Sequence, residues 1–235
     1  MTPPSTSHEE DLAQLLTGHG RCTVLLVSLI ALIATYPYFQ TWHFGRLVLN
    51  VLQLATILIG LFAVAGRGNS FKVAAVLAAA VLGLYVHRLV TGLPDPYYGL
   101  RYAVNIALYL VIIARLLAYL LRKGAVTADR LHAAISIYLL TAISWAMAYS
   151  IVFWADPTAF AFSHRSPDSL SPAFYHFLYF SFTSITSVGY GDITPITDQA
   201  RSLAILEQLF GLFFITVLIA RLAGLYPQQD EARRT

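Results

Sequence analysis

An all-α membrane protein is the fold class the sequence predicts, and three observations predict it. Of 235 residues, 57% are hydrophobic and 11% are charged, against roughly a quarter charged in ordinary soluble domains. The apolar residues fall in runs close to the ~20 that a helix needs to cross ~30 Å of hydrocarbon. Short charged or helix-breaking stretches separate the runs, so the chain reads as helical spans joined by loops.

The spans follow in order at residues 22–36, 46–66, 71–91, 100–121, 131–154 and 203–226. The first is short. Glu9, Glu10 and Asp11 stand where a signal peptide would carry positive charge, so it reads as a retained span. Lys and Arg gather at cytoplasmic membrane ends, and Arg21, Arg67, Lys72, Arg122, Lys123, Arg130, Arg233 and Arg234 fall on one side of this arrangement. Both termini are therefore expected in the cytoplasm, and the chain is expected to be a multi-pass protein of the plasma membrane, of the bacterial inner-membrane kind. The net charge of +3 is accounted for by these loop cations. With no basic stripe, no nucleic-acid partner is expected. Cys22 is the lone cysteine, which leaves no intramolecular disulfide or multi-cysteine metal site.

The principal break is the charged, glycine-bearing stretch 122–130. It divides a four-helix transmembrane bundle (22–121) from a two-helix part (131–226), with cytoplasmic tails at 1–21 and 227–235. Residues 7–16 read as a short amphipathic surface helix. The tail after the last span, about nine residues, is expected to leave no room for a soluble ligand-binding domain. After Trp154, Asp156-Pro157 and residues 165–168 predict an exposed outer loop. Ser171-Pro172 is a good N-cap and N1 pair and opens an aromatic run through Phe182. A helix of about 13 residues covers about 20 Å, too little to cross, so this one is predicted to be re-entrant.

That short helix runs into Thr186-Ser187-Val188-Gly189-Tyr190-Gly191-Asp192. An extended strand with its carbonyls turned to one side needs alternating unusual dihedrals, which Gly189 and Gly191 adopt without a Cβ clash. Non-helical backbone at membrane depth is tolerated only when buried in protein or lining a water-filled path.

These residues resemble the signature filter of potassium channels, and the likeness extends over about 131–226. It implies a two-helix pore domain with a re-entrant pore helix and a selectivity filter. Carbonyl rings from Ser187, Val188, Gly189 and Tyr190 would replace the water shell of K+, with Thr186 and Gly191 completing the ion-binding stretch. K+ is then the only cofactor, with no organic one. One such segment per chain implies a homotetramer closed by cyclic symmetry and surrounded by membrane lipids. The C-terminal end of the short helix, near Ile185, would turn the negative end of its dipole toward the cation.

Thr183, Ser184, Asp192 and Glu207 are the candidate supports of the filter, and by the same resemblance Gly211 stands where a gating-hinge glycine is expected. A mid-helix glycine weakens a helix by about 1 kcal/mol relative to alanine; close packing of a small residue is an equal reading of Gly211. Helical periodicity below it makes Ile215, Ile219 and Ala223 candidates for the cavity wall and gate.

The sequence also departs from the family pattern. Ser187 stands where threonine is usual, keeping the hydroxyl and losing the stiffening methyl. Phe180 and Thr183 occupy positions where many relatives carry a hydrogen-bonding aromatic and a carboxylate. Phe180 cannot donate, so a less firmly braced filter is expected.

The first four spans resemble the layout of voltage-gated channels, but such a sensor needs arginine at every third position of the fourth helix. Here that span carries only Arg101 and Arg115, and no Asp or Glu occurs between Arg21 and Pro94. Strong voltage gating is not expected. Arg115 reads as snorkelling, Asn50, Gln53 and Asn105 as hydrogen-bonding glue between helices, and His87-Arg88 as interfacial. Glu207, the one acid within the last span, either attracts cations and senses pH or, the preferred reading, hydrogen-bonds behind the filter to Thr183 or Ser184.

A potassium-selective channel subunit conducting passively is thus the expected function. A weakly selective cation channel or a non-conducting accessory subunit is the alternative. The seven histidines form no metal-ligand spacing and the acids no intramembrane pair, so enzyme chemistry is not expected. A transporter would carry several such loops per chain.

Overall fold

The computed structural model describes residues 20–39, 43–63, 69–91, 97–122, 127–163 and 174–232. The amphipathic segment 7–16, the loop 165–168 and the Ser171-Pro172 cap lie outside them. Helices α1 (Arg21–Phe39), α2 (His43–Ala63), α3 (Asn69–Thr91), α4 (Tyr98–Leu120) and α5 (Ala128–Ala155) are followed by strand β1 (Phe160–Phe162), helix α6 (Phe174–Ile185), strand β2 (Ile193–Pro195) and helix α7 (Asp198–Ala232). Among the described residues four helices, α1, α4, α5 and α7, are long and apolar enough to cross a membrane, and the chain is a multi-pass membrane protein. The described side chains of α2 and α3 contribute the shorter apolar stretches Val48–Phe62 and Phe71–His87.

The chain divides into two compact units, neither of which stops at the 122–130 break. One comprises Met1–Ala78 with Val111–Ile137, the other Ala79–Leu110 with Tyr138–Thr235.

In the first unit Leu25 and Leu29 of α1, Ile57 of α2 and Ile112 and Leu116 of α4 are fully buried together with Ile137 of α5. Lipid tails are as apolar as leucine, so such a bundle depends on close packing and on hydrogen bonds between helices. Gly60 permits one close approach: a Cβ there would lie 3.0 Å from Ile112 Cδ1. The polar tie is Asp129, in the first turn of α5. Its Oδ1 accepts from the Cys22 amide at 3.2 Å, capping α1, while its Oδ2 accepts from the Tyr119 hydroxyl at 2.9 Å. The neighbouring pair Thr23 Oγ1 and His132 Nδ1 is hydrogen-bonded at 2.8 Å. One carboxylate thus joins the start of α1, the end of α4 and the start of α5.

In the second unit Arg101 is 4% exposed and its guanidinium lies over the rings of Tyr85, Tyr98 and Tyr102 at 5.1–5.7 Å. Aromatic faces attract a cation in this way. Asn105 is fully buried, but its amide donates to Arg101 O of its own helix at 2.9 Å. That bond is intrahelical, where glue between helices was expected.

The loop after α5 is more ordered than its composition suggests. Asp156 Oδ1 accepts from Thr158 N and Thr158 Oγ1, and these bonds hold the Asp156 carboxyl below the usual range. The chain then enters β1, which pairs antiparallel with β2 in the register Phe160↔Pro195, Ala161↔Thr194, Phe162↔Ile193. Two further bonds extend the ladder, Ile196 N to Ala159 O and Ser163 N to Asp192 O. This short sheet, an addition to the all-helical expectation, ties the end of α5 to the segment beyond Asp192.

Asp129→Ala removes the acceptor of two bonds, so a loss of about 1–3 kcal/mol is expected, read as a lower thermal midpoint in detergent. Tyr119→Phe keeps the cap on Cys22 and should cost less. Equal midpoints for wild type and Asp129→Ala would contradict the tie.

Candidate functional site: the turn after the short helix

Helix α6 has 12 residues, about 18 Å at 1.5 Å per residue, in keeping with a segment too short to cross. A helix leaves its last four carbonyls without partners, and here they are those of Phe182, Thr183, Ser184 and Ile185. Thr186 N and Thr186 Oγ1 donate to Phe182 O. Val188 N and Gly189 N donate to Thr183 O at 2.9 and 3.0 Å, and Ser187 N donates to Ser184 O at 2.9 Å. The Tyr138 hydroxyl of α5 donates to Ile185 O at 3.1 Å. All four are satisfied.

The donors come mostly from the segment that follows, so the N–H groups of Thr186, Ser187, Val188 and Gly189 face back onto α6. No carbonyl of Ser187, Val188, Gly189 or Tyr190 accepts a backbone hydrogen bond among the described residues. The dihedrals alternate as well: Ser187, Gly189 and Gly191 have φ of 58°, 52° and 78°. Glycine takes this left-handed region freely. At Ser187 a β-branched residue would be a genuine outlier, so the serine that departs from the usual threonine suits the backbone it occupies. Thr186 through Gly191 are exposed in the single chain, Val188 at 55% and Tyr190 at 71%.

Behind this turn lies an aromatic core. Phe180 packs edge-on against Tyr149 at 4.9 Å and Phe160 at 5.6 Å, and Phe177 against Phe160 at 5.2 Å. Phe180 is thus a core ring. The polar aromatic is one residue earlier: Tyr179 stacks on Tyr190 at 6.2 Å, 8° from parallel. Sequence reasoning looked at Phe180 and missed Tyr179. Asp192 accepts from Ile193 N at 3.1 Å.

An ion-channel family profile matches residues 135–226. The match takes in α6, the turn, β2 and most of α7, under half of the chain, and supports an ion-channel family. Neither a curated relative nor a solved structure matches the chain.

Within the matched segment, Thr183 Oγ1 donates to Phe180 O at 2.9 Å and Ser184 is buried; neither bonds to Glu207. The partners of Glu207 are Tyr149 Oη and Ser181 Oγ, each at 2.5 Å. Glu207 belongs to a buried stripe of α7 with Ala200, Ala204 and Gly211. Small residues on that stripe let α7 approach α6, and a Cβ at Gly211 would run into the carbonyl of Ile185. Beyond Gly211 the helix is largely exposed in the single chain, with Ile215 at 43% and Ile219 at 61%; the side chain of Ala223 lies outside the described residues. Among the described residues no cluster of His, Cys, Asp and Glu side chains could hold a metal ion.

Packing and hinge readings of Gly211 give opposite signs for Gly211→Ala. A hinge glycine gains about 1 kcal/mol of helix stability from alanine, whereas overpacking against Ile185 costs about 1–3 kcal/mol. The geometry predicts a lower thermal midpoint for the variant; a higher one would contradict the close approach.

Proposed function

We propose that the chain is one subunit of a homotetrameric, potassium-selective channel that conducts passively through Thr186, Ser187, Val188, Gly189, Tyr190 and Gly191. The observation that carries this reading is the segregation of the turn's polar groups. The N–H groups of Thr186, Ser187, Val188 and Gly189 are bonded to α6, while the carbonyls of Ser187, Val188, Gly189 and Tyr190 accept no backbone bond among the described residues.

Rows of carbonyls of this kind substitute for the hydration shell of K+ when several chains surround one axis. A single copy supplies one wall. Cyclic symmetry closes such a wall into rings, and the exposed apolar residues of α7, among them Leu212, Phe213 and Val217, suit contact with copies of the chain and with lipid. Thr183, Ser184, Asp192 and Glu207 are the supporting residues in this reading, Ile215, Ile219 and Ala223 the cavity wall, and Gly211 the point of close approach between α7 and the end of α6, in place of the gating hinge the family likeness suggests. The peripheral helices carry no arginine ladder, so strong voltage gating is not part of the proposal.

Purified protein in a planar bilayer under opposed K+ and Na+ gradients should reverse near the potassium equilibrium potential. Reversal near zero would favour a weakly selective cation channel, and silence would favour an accessory subunit. Gly189→Ala should abolish the potassium current, because a Cβ in the left-handed region costs about 1–2 kcal/mol in every copy.

A further inference from the structure

Glu207 is completely buried, and no cation pairs with it among the described residues. An ionised carboxylate without such a partner is among the most expensive groups to bury. The hydrogen bonds around it allow its proton to be located by counting. Three contacts link four groups: Tyr149 Oη to Glu207 Oε2, Ser181 Oγ to Glu207 Oε1, and Ser181 Oγ to Ala142 O at 2.7 Å. Each contact needs a proton between its oxygens. The tyrosine supplies one and the serine supplies one, since a hydroxyl has a single donor. The Ala142 carbonyl has none to give, and an ionised carboxylate accepts only. If Glu207 were charged, one of the two short contacts of Ser181 would set two acceptors against each other.

We infer that Glu207 is uncharged and donates its carboxyl proton to Ser181 Oγ. The donors then run in one direction, from Tyr149 to Glu207, from Glu207 to Ser181, and from Ser181 to Ala142 O. This chain begins and ends on α5, passes through α7 and α6, and leaves none of its protons or acceptors unmatched. Tyr149 and Ala142 are seven residues apart, about two turns on one face of α5, which is what lets a single helix hold both ends. Glu207 acts as a positioning residue: it fixes the helix whose carbonyls hold the turn, and it neither attracts cations nor senses pH. The titratable groups facing it are Tyr149 and Tyr138 of α5; its neighbour on α6 is Ser181. The inference extends the proposed function to what braces the turn, and its spectroscopic test does not depend on conduction.

Infrared spectroscopy of the full-length protein in lipid, with 13C-labelled glutamate, reads the proton directly. The expected result is a protonated-acid C=O band at neutral pH that shifts with the label and disappears in Glu207→Gln. Ser181→Ala should retain that band but move it to the frequency of a more weakly bonded acid. Glutamine can donate to Ser181 and accept from Tyr149, so Glu207→Gln should keep the wild-type thermal midpoint, while Glu207→Leu should lose several degrees. Absence of the band at neutral pH would overturn the inference, as would a glutamine variant as unstable as the leucine one.

Discussion

The arrangement depends on how the C-terminus of α6 disposes of its orphan carbonyls. The last turn of a helix has carbonyls that no residue of the helix can satisfy, and where that turn is buried, as at Thr183, Ser184 and Ile185, partners must come from protein. The turn after Ile185 supplies most of them through the amides of Thr186, Ser187, Val188 and Gly189, and Tyr138 supplies the last. The amides are committed to that side, φ is positive at Ser187, Gly189 and Gly191, and the carbonyls of Ser187, Val188, Gly189 and Tyr190 accept no backbone bond among the described residues. Satisfying the helix end and leaving these carbonyls without backbone donors are therefore two results of one set of hydrogen bonds.

A second layer holds α6 itself. The stripe Ala200, Ala204, Glu207 and Gly211 places two methyl groups, one carboxyl and one bare Cα against the rest of the segment, so α7 comes close where it is small and hydrogen-bonds where it is polar. Rings of Tyr149, Phe160, Phe177 and Phe180 fill the space between α5, α6 and β1. Edge-to-face pairs of this kind favour fixed geometry beyond the area they bury. The β1–β2 ladder then anchors the exit from the turn to the end of α5.

Much of this was legible in the chain. Apolar runs gave the helices, the length of the aromatic run gave a helix too short to cross, and Gly189 and Gly191 announced left-handed backbone. Other features were not legible, for identifiable reasons. Ser187 shares the left-handed region without being glycine, and no composition rule singles it out. Glu207 was recognisable as an isolated acid, but its partners depend on the rotation of α7 about its axis, which puts it against Ser181 and Tyr149 instead of Thr183 or Ser184. Tyr179 was passed over for Phe180 because one residue of a helix is 100° of azimuth. Strand β1 is three residues long, too brief for an alternating pattern. Asp129 looked like one charge in a linker, and its capping of α1 joins residues 107 positions apart.

The central claim is that the carbonyls of Ser187, Val188, Gly189 and Tyr190, brought together from four copies, stand in for the water around a dehydrated cation. Anomalous diffraction from crystals of the full-length protein grown with thallium in place of potassium tests it most directly. The account predicts anomalous peaks on a fourfold axis between the rings formed by these carbonyls; density found only at surface carboxylates, or chains that do not assemble about such an axis, would contradict it.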